Sequence, residues 1–247
     1  MKRLFIYIIM CVACFVKSHA VDFSNESLNY HIYYHWGLVW KHAATANLSI
    51  KDIGDDYDAR LCARTLSWVD KIYTVRDTLY STIDKKSFYP VKYVKATHEN
   101  GYHAHDVVNF NFDGKSTVGV ASRVRPGKKT SKINLETQGK AYDMLSVFYV
   151  LRQVDLEKLK REGVFSTTVF SGKYKETLNI EYVKVEKIEL RDKSEHFAHH
   201  LKFSFTQEGK TKSSDDIDAW LSVDSAHVPL LLKGQLPVGE VCVYYAK

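Results

Sequence analysis

Proline is scarce in this 247-residue chain, with four in all, and no glycine- or serine-rich linker divides it. Few prolines leave few places where a strand must stop, and the lack of a repeat, linker or composition break points to one domain. Cysteine is as rare. Of the four, Cys11 and Cys14 fall in the N-terminal apolar run, which leaves Cys62 and Cys242 in strand-like stretches. In an oxidising compartment those two can form a disulfide; otherwise each is a small buried hydrophobe, and both readings stay open.

Catalytic signatures are missing as well. There is no Gly-x-Ser-x-Gly elbow, no glycine-rich loop ahead of a helix, and no histidine near Cys62 in sequence. The carboxylate pairs Asp55-Asp56 and Asp215-Asp216 sit in polar loops, where hydration is their ordinary role. No enzyme is expected, and no catalytic residue or cofactor is assigned.

Long apolar runs are confined to Leu4–Val16, preceded by Lys2 and Arg3 and followed by Ser18-His19-Ala20. A positive start, an apolar stretch and small residues before a cut at Val21 describe a signal peptide. The run is short of the roughly 20 residues a membrane span requires. Residues 1–20 are therefore expected to be removed, leaving 21–247 as a β-rich domain of an exported, periplasmic or cell-envelope protein. A lipid anchor on Cys14 is the alternative, a poorer one because Cys11 occupies the −3 position. The mature chain would carry no transmembrane segment. Losing residues 1–20 takes away Lys2, Arg3 and Lys17 and no acid, so the formal charge falls from +6 to +3. That excludes the dense positive surface of nucleic-acid binding. The densest basic run, Arg123, Arg125, Lys128, Lys129 and Lys132, reads as a solvated loop, with anionic lipid or polysaccharide as the functional alternative.

What is abundant is aromatic: 16 Tyr, 12 Phe and 4 Trp, a composition suited to long strands around a large apolar interior. Leu28, Tyr30, Ile32, Tyr34 and Trp36 share one parity, and Asn29, His31, Tyr33 and His35 the other. After Gly37 the alternation resumes through Leu38, Trp40, Ala44, Ala46, Leu48 and Ile50, where the alanines leave room for something large. Arg60–Asp84 favours strand with a turn near Ser67-Trp68, and Val108, Phe110 and Phe112 run into an Asp113-Gly114 hairpin turn. Residues 128–132 read as a polar loop. Later strands are expected over 164–170, 177–184, 185–190, 200–205, 219–223, 230–233 and 241–245.

Helical spacing stands out at Asp143–Arg152, where Met144, Leu145, Phe148 and Leu151 form one face. Asp143 is placed to accept from the first free N–H groups, and Arg152 to complement the dipole. A second short piece ends at Gly163. About a dozen strands with helices near 142–152 and 155–162 imply a mainly β, antiparallel curved sheet or half-open barrel.

Three stretches resemble a known family: Asp143-Met-Leu-Ser-Val-Phe-Tyr-Val-Leu-Arg152 with Gly163 beyond it, Tyr73-Thr-Val-Arg-Asp77 with Tyr80 and Tyr89-Pro90, and Ala219-Trp-Leu-Ser-Val-Asp224 with Val228-Pro229 and Leu236-Pro-Val-Gly239. Together they are similar to the bacterial exported family catalogued as domain of unknown function 3108, over about Ser27 to Tyr245. The resemblance implies an envelope protein with a fold like that of periplasmic lipoprotein carriers, helices covering the sheet and apolar side chains lining a cavity. It supplies no catalytic residues. The chain departs from the pattern near Ala46, where a Gly is frequent, and in lacking a clean lipobox.

Two histidine groups invite a metal: His103 and His105 beside Asp106, and His196, His199 and His200. Each supplies too few convergent ligands for zinc, so exposed hairpin positions are the plainer reading and no metal is assigned. The aromatics carry the remaining signal. Tyr34, Trp36, Trp40, Phe110, Phe112, Leu145 and Phe148 are the candidates to line a cavity for a lipid or amphiphilic ligand; filling the core is their alternative role. A structural module binding another envelope protein is the competing function. Replacing Phe148 with Ala is expected to cost about 3–5 kcal/mol if the helix is architectural.

Overall fold

A computed structural model describes residues 21–211 and 216–247. The expected signal segment, the alternative anchor at Cys14, and Asp215 lie outside the described residues. The first half runs β1 (Ser27–Trp36), β2 (Val39–Asp52), β3 (Asp56–Thr65), the one-turn α1 (Ser67–Asp70), β4 (Arg76–Asp84), β5 (Pro90–Glu99), β6 (Tyr102–Phe112), β7 (Ser116–Val124), β8 (Ser131–Gln138) and β9 (Ala141–Tyr142). The second half runs α2 (Ser146–Leu151), α3 (Leu156–Glu162), β10 (Val164–Phe170), β11 (Lys175–Glu189), β12 (Glu195–Gln207), β13 (Ile217–Ser222), β14 (Pro229–Gln235) and β15 (Glu240–Ala246).

The fifteen strands of the described residues belong to one sheet, ordered β8-β7-β6-β5-β4-β3-β2-β1-β15-β14-β13-β12-β11-β10-β9. Neighbours are antiparallel except β9 and β10, which run parallel because α2 and α3 cross between them. The sheet curls until its two edges meet, giving a nearly closed barrel. Side chains make the seam. The Thr137 and Thr168 hydroxyls lie 3.4 Å apart, Lys175 Nζ donates to the Glu136 carbonyl at 3.0 Å, and the Ala141 N–H donates to Thr117 Oγ1 at 3.2 Å.

The hairpin turns follow local chemistry. At the expected Asp113-Gly114 turn, the Asp113 carboxylate accepts the N–H groups of Lys115 and Ser116 at 2.8 and 2.7 Å. Several expectations change. Residues 131–138 are strand β8 rather than an approach loop, with Leu135 buried between solvated neighbours. The segments 177–184 and 185–190 are one strand, β11, bent by a bulge at Val183. His196, His199 and His200 sit within β12, where successive residues face opposite sides and cannot converge.

The helix α2 is shorter than Asp143–Arg152, and of the two roles its sequence leaves open, a lid or a plug on the sheet, it takes the second. Leu145, Val147, Tyr149 and Leu151 are all buried, so apolar surface surrounds it and α2 is a plug inside the barrel. Asp143 starts it as anticipated. Its Oδ1 accepts from the Leu145 and Ser146 N–H groups at 2.7 and 2.8 Å, while the Ser81 hydroxyl on β4 donates to Oδ2 at 2.6 Å. Arg152 does more than suit a dipole. Its fully buried guanidinium donates to both Glu26 carboxylate oxygens at 2.5 and 2.8 Å and to the Ala226 carbonyl at 3.0 Å. It also lies over the Phe23 ring. One residue thus ties the plug to the N-terminal segment and to the β13–β14 turn, closing that end of the barrel.

Candidate functional site: an apolar cavity beside the plug

The barrel interior is not uniformly filled. On the β6–β7 side it is dense: the Phe170 ring occupies the space a Cβ on Gly119 would need and stacks on Phe110 with centroids 5.6 Å apart. On the opposite wall the side chains are small. Ala46 and Ala63 are cross-strand partners, and Tyr30 pairs with Ala46 on its other side. Between that wall and the plug lies a cavity of ≈ 240 Å³. Its lining comes from Tyr30 and Ile32 on β1, Ala46 and Leu48 on β2, Leu61 and Ala63 on β3, Leu232 on β14 and Val243 on β15, with Met144, Leu145 and Phe148 from the plug.

The lining is apolar apart from the phenol of Tyr30. That hydroxyl is buried without a hydrogen-bond partner, and burial pushes its pKa well up, so it remains a neutral donor. Ile32, Ala46, Leu61, Ala63, Met144, Phe148, Leu232 and Val243 are only half-buried, so the cavity is open at one end. The volume corresponds to about eight water molecules at roughly 30 Å³ each. Such walls cannot hold water by hydrogen bonds, but they can hold hydrocarbon.

Of the seven candidate lining residues, Leu145 and Phe148 face this cavity. The other five do not. Phe110 packs on Phe170, and Phe112 packs on Tyr89 at 5.0 Å, both in the dense half. Tyr34 reaches the rim, where its hydroxyl donates to the Val238 carbonyl at 2.9 Å, and Trp36 is 59% exposed at the hairpin tip. Trp40 is on the outer face, stacked on His35 at 3.9 Å. The cause is a bulge: Ile32 pairs with Ala44 but Tyr33 with His42, so Ala43 is extra and the parity of β2 flips there. What sequence reading missed as lining are Tyr30, Ile32, Leu48, Leu61, Ala63, Met144, Leu232 and Val243, with Ala46 read only as leaving room; the parity of the strand residues was legible, but not which strands close on one another.

The polar candidates are spoken for. Cys62 and Cys242 are free thiols, and β15 is separated from β3 by β1 and β2. Three strand spacings come to about 14 Å, twice the reach of a disulfide. Arg123 and Arg125 belong to no solvated loop: Arg123 Nε and Arg125 Nη2 donate to Asp106 at 3.0 and 2.6 Å. Burial raises the Asp106 pKa, but the two guanidiniums outweigh it and hold the carboxyl below its usual range. His103 lies against His98, whereas Asp106 faces the interior, so they share no site. His200 stacks on Trp220 at 4.4 Å and bonds Asp218 at 2.6 Å. Among the described residues no group of three or more His, Cys, Asp or Glu is placed to hold a metal, and no helix is long and apolar enough to cross a membrane.

These features define a β-barrel-like protein plugged at one end and carrying an apolar cavity toward the other. Over residues 29–245 the chain matches the family described as Protein of unknown function (DUF3108), and it belongs to that family. Among solved structures it is similar to a beta-barrel-like protein of domain of unknown function DUF1849 from Brucella abortus. The TM-score is 0.64 at 9% identity, covering 92% of this chain and 98% of that one. At that identity the likeness is one of fold. No curated protein matches the chain in sequence.

Proposed function

We propose that this protein is a non-catalytic binding protein of the bacterial envelope whose cavity receives the acyl chain of a lipid or lipidated ligand. The observation that carries the reading is the apolar cavity left between the packed plug and the alanine-floored wall of β1–β3. Each buried methylene of a chain would contribute about 0.8 kcal/mol, so a chain of medium length gives useful affinity without any polar recognition. Export and an envelope location belong to the same proposal and rest on the N-terminal segment.

The test is titration of a fluorescent fatty acid, with native mass spectrometry of the purified protein. Saturable binding is expected. Ala46→Phe, which fills the cavity from its floor, should weaken binding by about tenfold or more while the protein stays folded. No uptake of the fatty acid, together with one stoichiometric protein partner on crosslinking in the native cell, would select the assembly role instead.

A further inference from the structure

We propose that the rim at the open end of the barrel is a docking surface for an anionic lipid bilayer. Strand direction puts the β1–β2, β3–β4 and β14–β15 connections at that end. The order β4-β3-β2-β1-β15-β14 makes the three of them neighbours. Their tips are apolar and exposed: Trp36 59% and Leu38 101% on the first, Trp68 42% and Ile72 75% on the second, Leu236 43% and Val238 56% on the third. The Trp68 Nε1 donates to the His42 carbonyl at 2.8 Å, and the Tyr34 hydroxyl to the Val238 carbonyl at 2.9 Å, so the tips are joined to one another. Exposed apolar surface clustered in this way marks an interaction site.

The opposite end is built differently. Its turns fold on their own carboxylates, Asp52, Asp84, Asp113, Asp192 and Asp224 each accepting a backbone N–H. Ile53, Val91 and Val164 are single exposed apolar residues there, and Phe197 lies beside Val223 on neighbouring strands, with no tryptophan among them. Lys71, Lys128, Lys129 and Lys132 are exposed at the rim with no ion pair among the described residues. Of the acids at the rim, Asp70 is tied to Arg76, Glu208 to Lys175, Asp216 to Lys202 and Glu240 to His35, while Glu99 accepts from the Tyr73 hydroxyl and Asp77 from the His98 N–H, each at 2.9 Å. Lys71 stands beside the tryptophan and aliphatic tips, and Lys128, Lys129 and Lys132 lie at the β7–β8 connection across the rim, so an anionic membrane laid over the whole rim meets rings at the interface and ammonium groups on phosphate. The cavity wall continues to this rim, since Leu232 and Val243 also border a groove that ends at Leu236. Docking stands on the rim itself; transfer of a chain from bilayer to cavity rests on the binding function proposed above.

The test is co-sedimentation of the protein with vesicles of phosphatidylcholine alone or with about one-third phosphatidylglycerol. Binding to the anionic vesicles is expected, falling steeply as salt approaches about 1 M, where screening acts within about 3 Å. Trp36→Ser with Leu38→Ser, and separately Lys128→Glu with Lys129→Glu, should each lower binding by about tenfold, while Ile53→Ser leaves it unchanged. Brominated lipid should quench Trp36 and Trp68 and spare Trp220. No binding to either vesicle, indifference to both rim variants, or quenching of Trp220 as strong as that of Trp36 overturns the proposal. Rim-dependent association with a protein in place of lipid does so as well. Fatty-acid titration of the same variants separates the two readings. Uptake without vesicle binding removes docking alone, and vesicle binding without uptake removes the cavity function alone.

Discussion

Two buried carboxylates show how a single position sets stability. Asp143 is wholly enclosed, and burial raises its pKa above the ordinary 3.8 even though Ser81 and the Leu145 and Ser146 N–H groups favour the ionised form. The folded chain then holds this proton more tightly than the unfolded one. The stabilisation is complete below about pH 4 and is lost as pH rises through the raised value. Asp106 behaves oppositely, because Arg123 and Arg125 depress its pKa. Its contribution is present above about pH 4 and is lost as pH falls through the depressed value. Urea unfolding at a series of pH values should therefore show the wild-type advantage over Asp143→Asn shrinking upward from pH 4. The advantage over Asp106→Asn should shrink downward. Parallel curves for the wild type and both variants would contradict this. The thiols give a second prediction. In a native chain starting near Val21, a thiol reagent should find two free cysteines. Half-exposed Cys62 should react first. Cys242 should react on unfolding, since it is 0% exposed and burial beside Glu240 pushes its thiol up to about 11. Unchanged melting under reductant is the companion result.

At the scale of elements, the helical spacing at 143–152 did announce a helix, but its environment was not visible. Apolar residues on one face suited a lid or a plug; the burial of Tyr149 on another face makes it a plug. That alters the energetics expected for Phe148. The ring is half-buried and borders a void, so part of its surface has no partner atoms to lose. Phe148→Ala should cost about 1–2 kcal/mol, less than the 3–5 anticipated from sequence, whereas Tyr149→Ala, at 0% exposed, should cost about 3–5. Chemical denaturation of the two variants checks the order, and a larger loss at Phe148 would place the plug elsewhere. Arg152 is the other anchor of this element. Arg152→Met leaves the Glu26 carboxylate without its partner and removes the guanidinium from the Phe23 ring, and should cost about 3–5 kcal/mol.

For the whole molecule, the seam decides whether the sheet is a barrel or an open trough. Buried Thr117 stands there, its hydroxyl donating to the Gly139 carbonyl at 2.7 Å, accepting from the Ala141 N–H and contacting Tyr89 Oη. Thr117→Val preserves shape but takes the hydroxyl donor from the Gly139 carbonyl, while the Ala141 N–H keeps Tyr89 Oη at 2.9 Å, and should lower stability by about 1–3 kcal/mol. Hydrogen exchange should show the effect first in β8 and β9, not in the central β1 and β15. Alternating residues, the Asp113-Gly114 turn, the Gly163 helix end and the family motif were legible because each is local: period two, period 3.6 or one turn. The bulge at Ala43, the filling of one half by Phe170 against Gly119, and the pairing of Glu26 with Arg152 across 126 positions were not. By itself the sequence determined a mainly β chain with a central helix, because backbone periodicity is written in the order of apolar and polar residues. Only the tertiary structure decided which aromatics face inward and where the cavity lies. Register past a bulge and contact across a barrel depend on strands that are neighbours in space and distant in the chain.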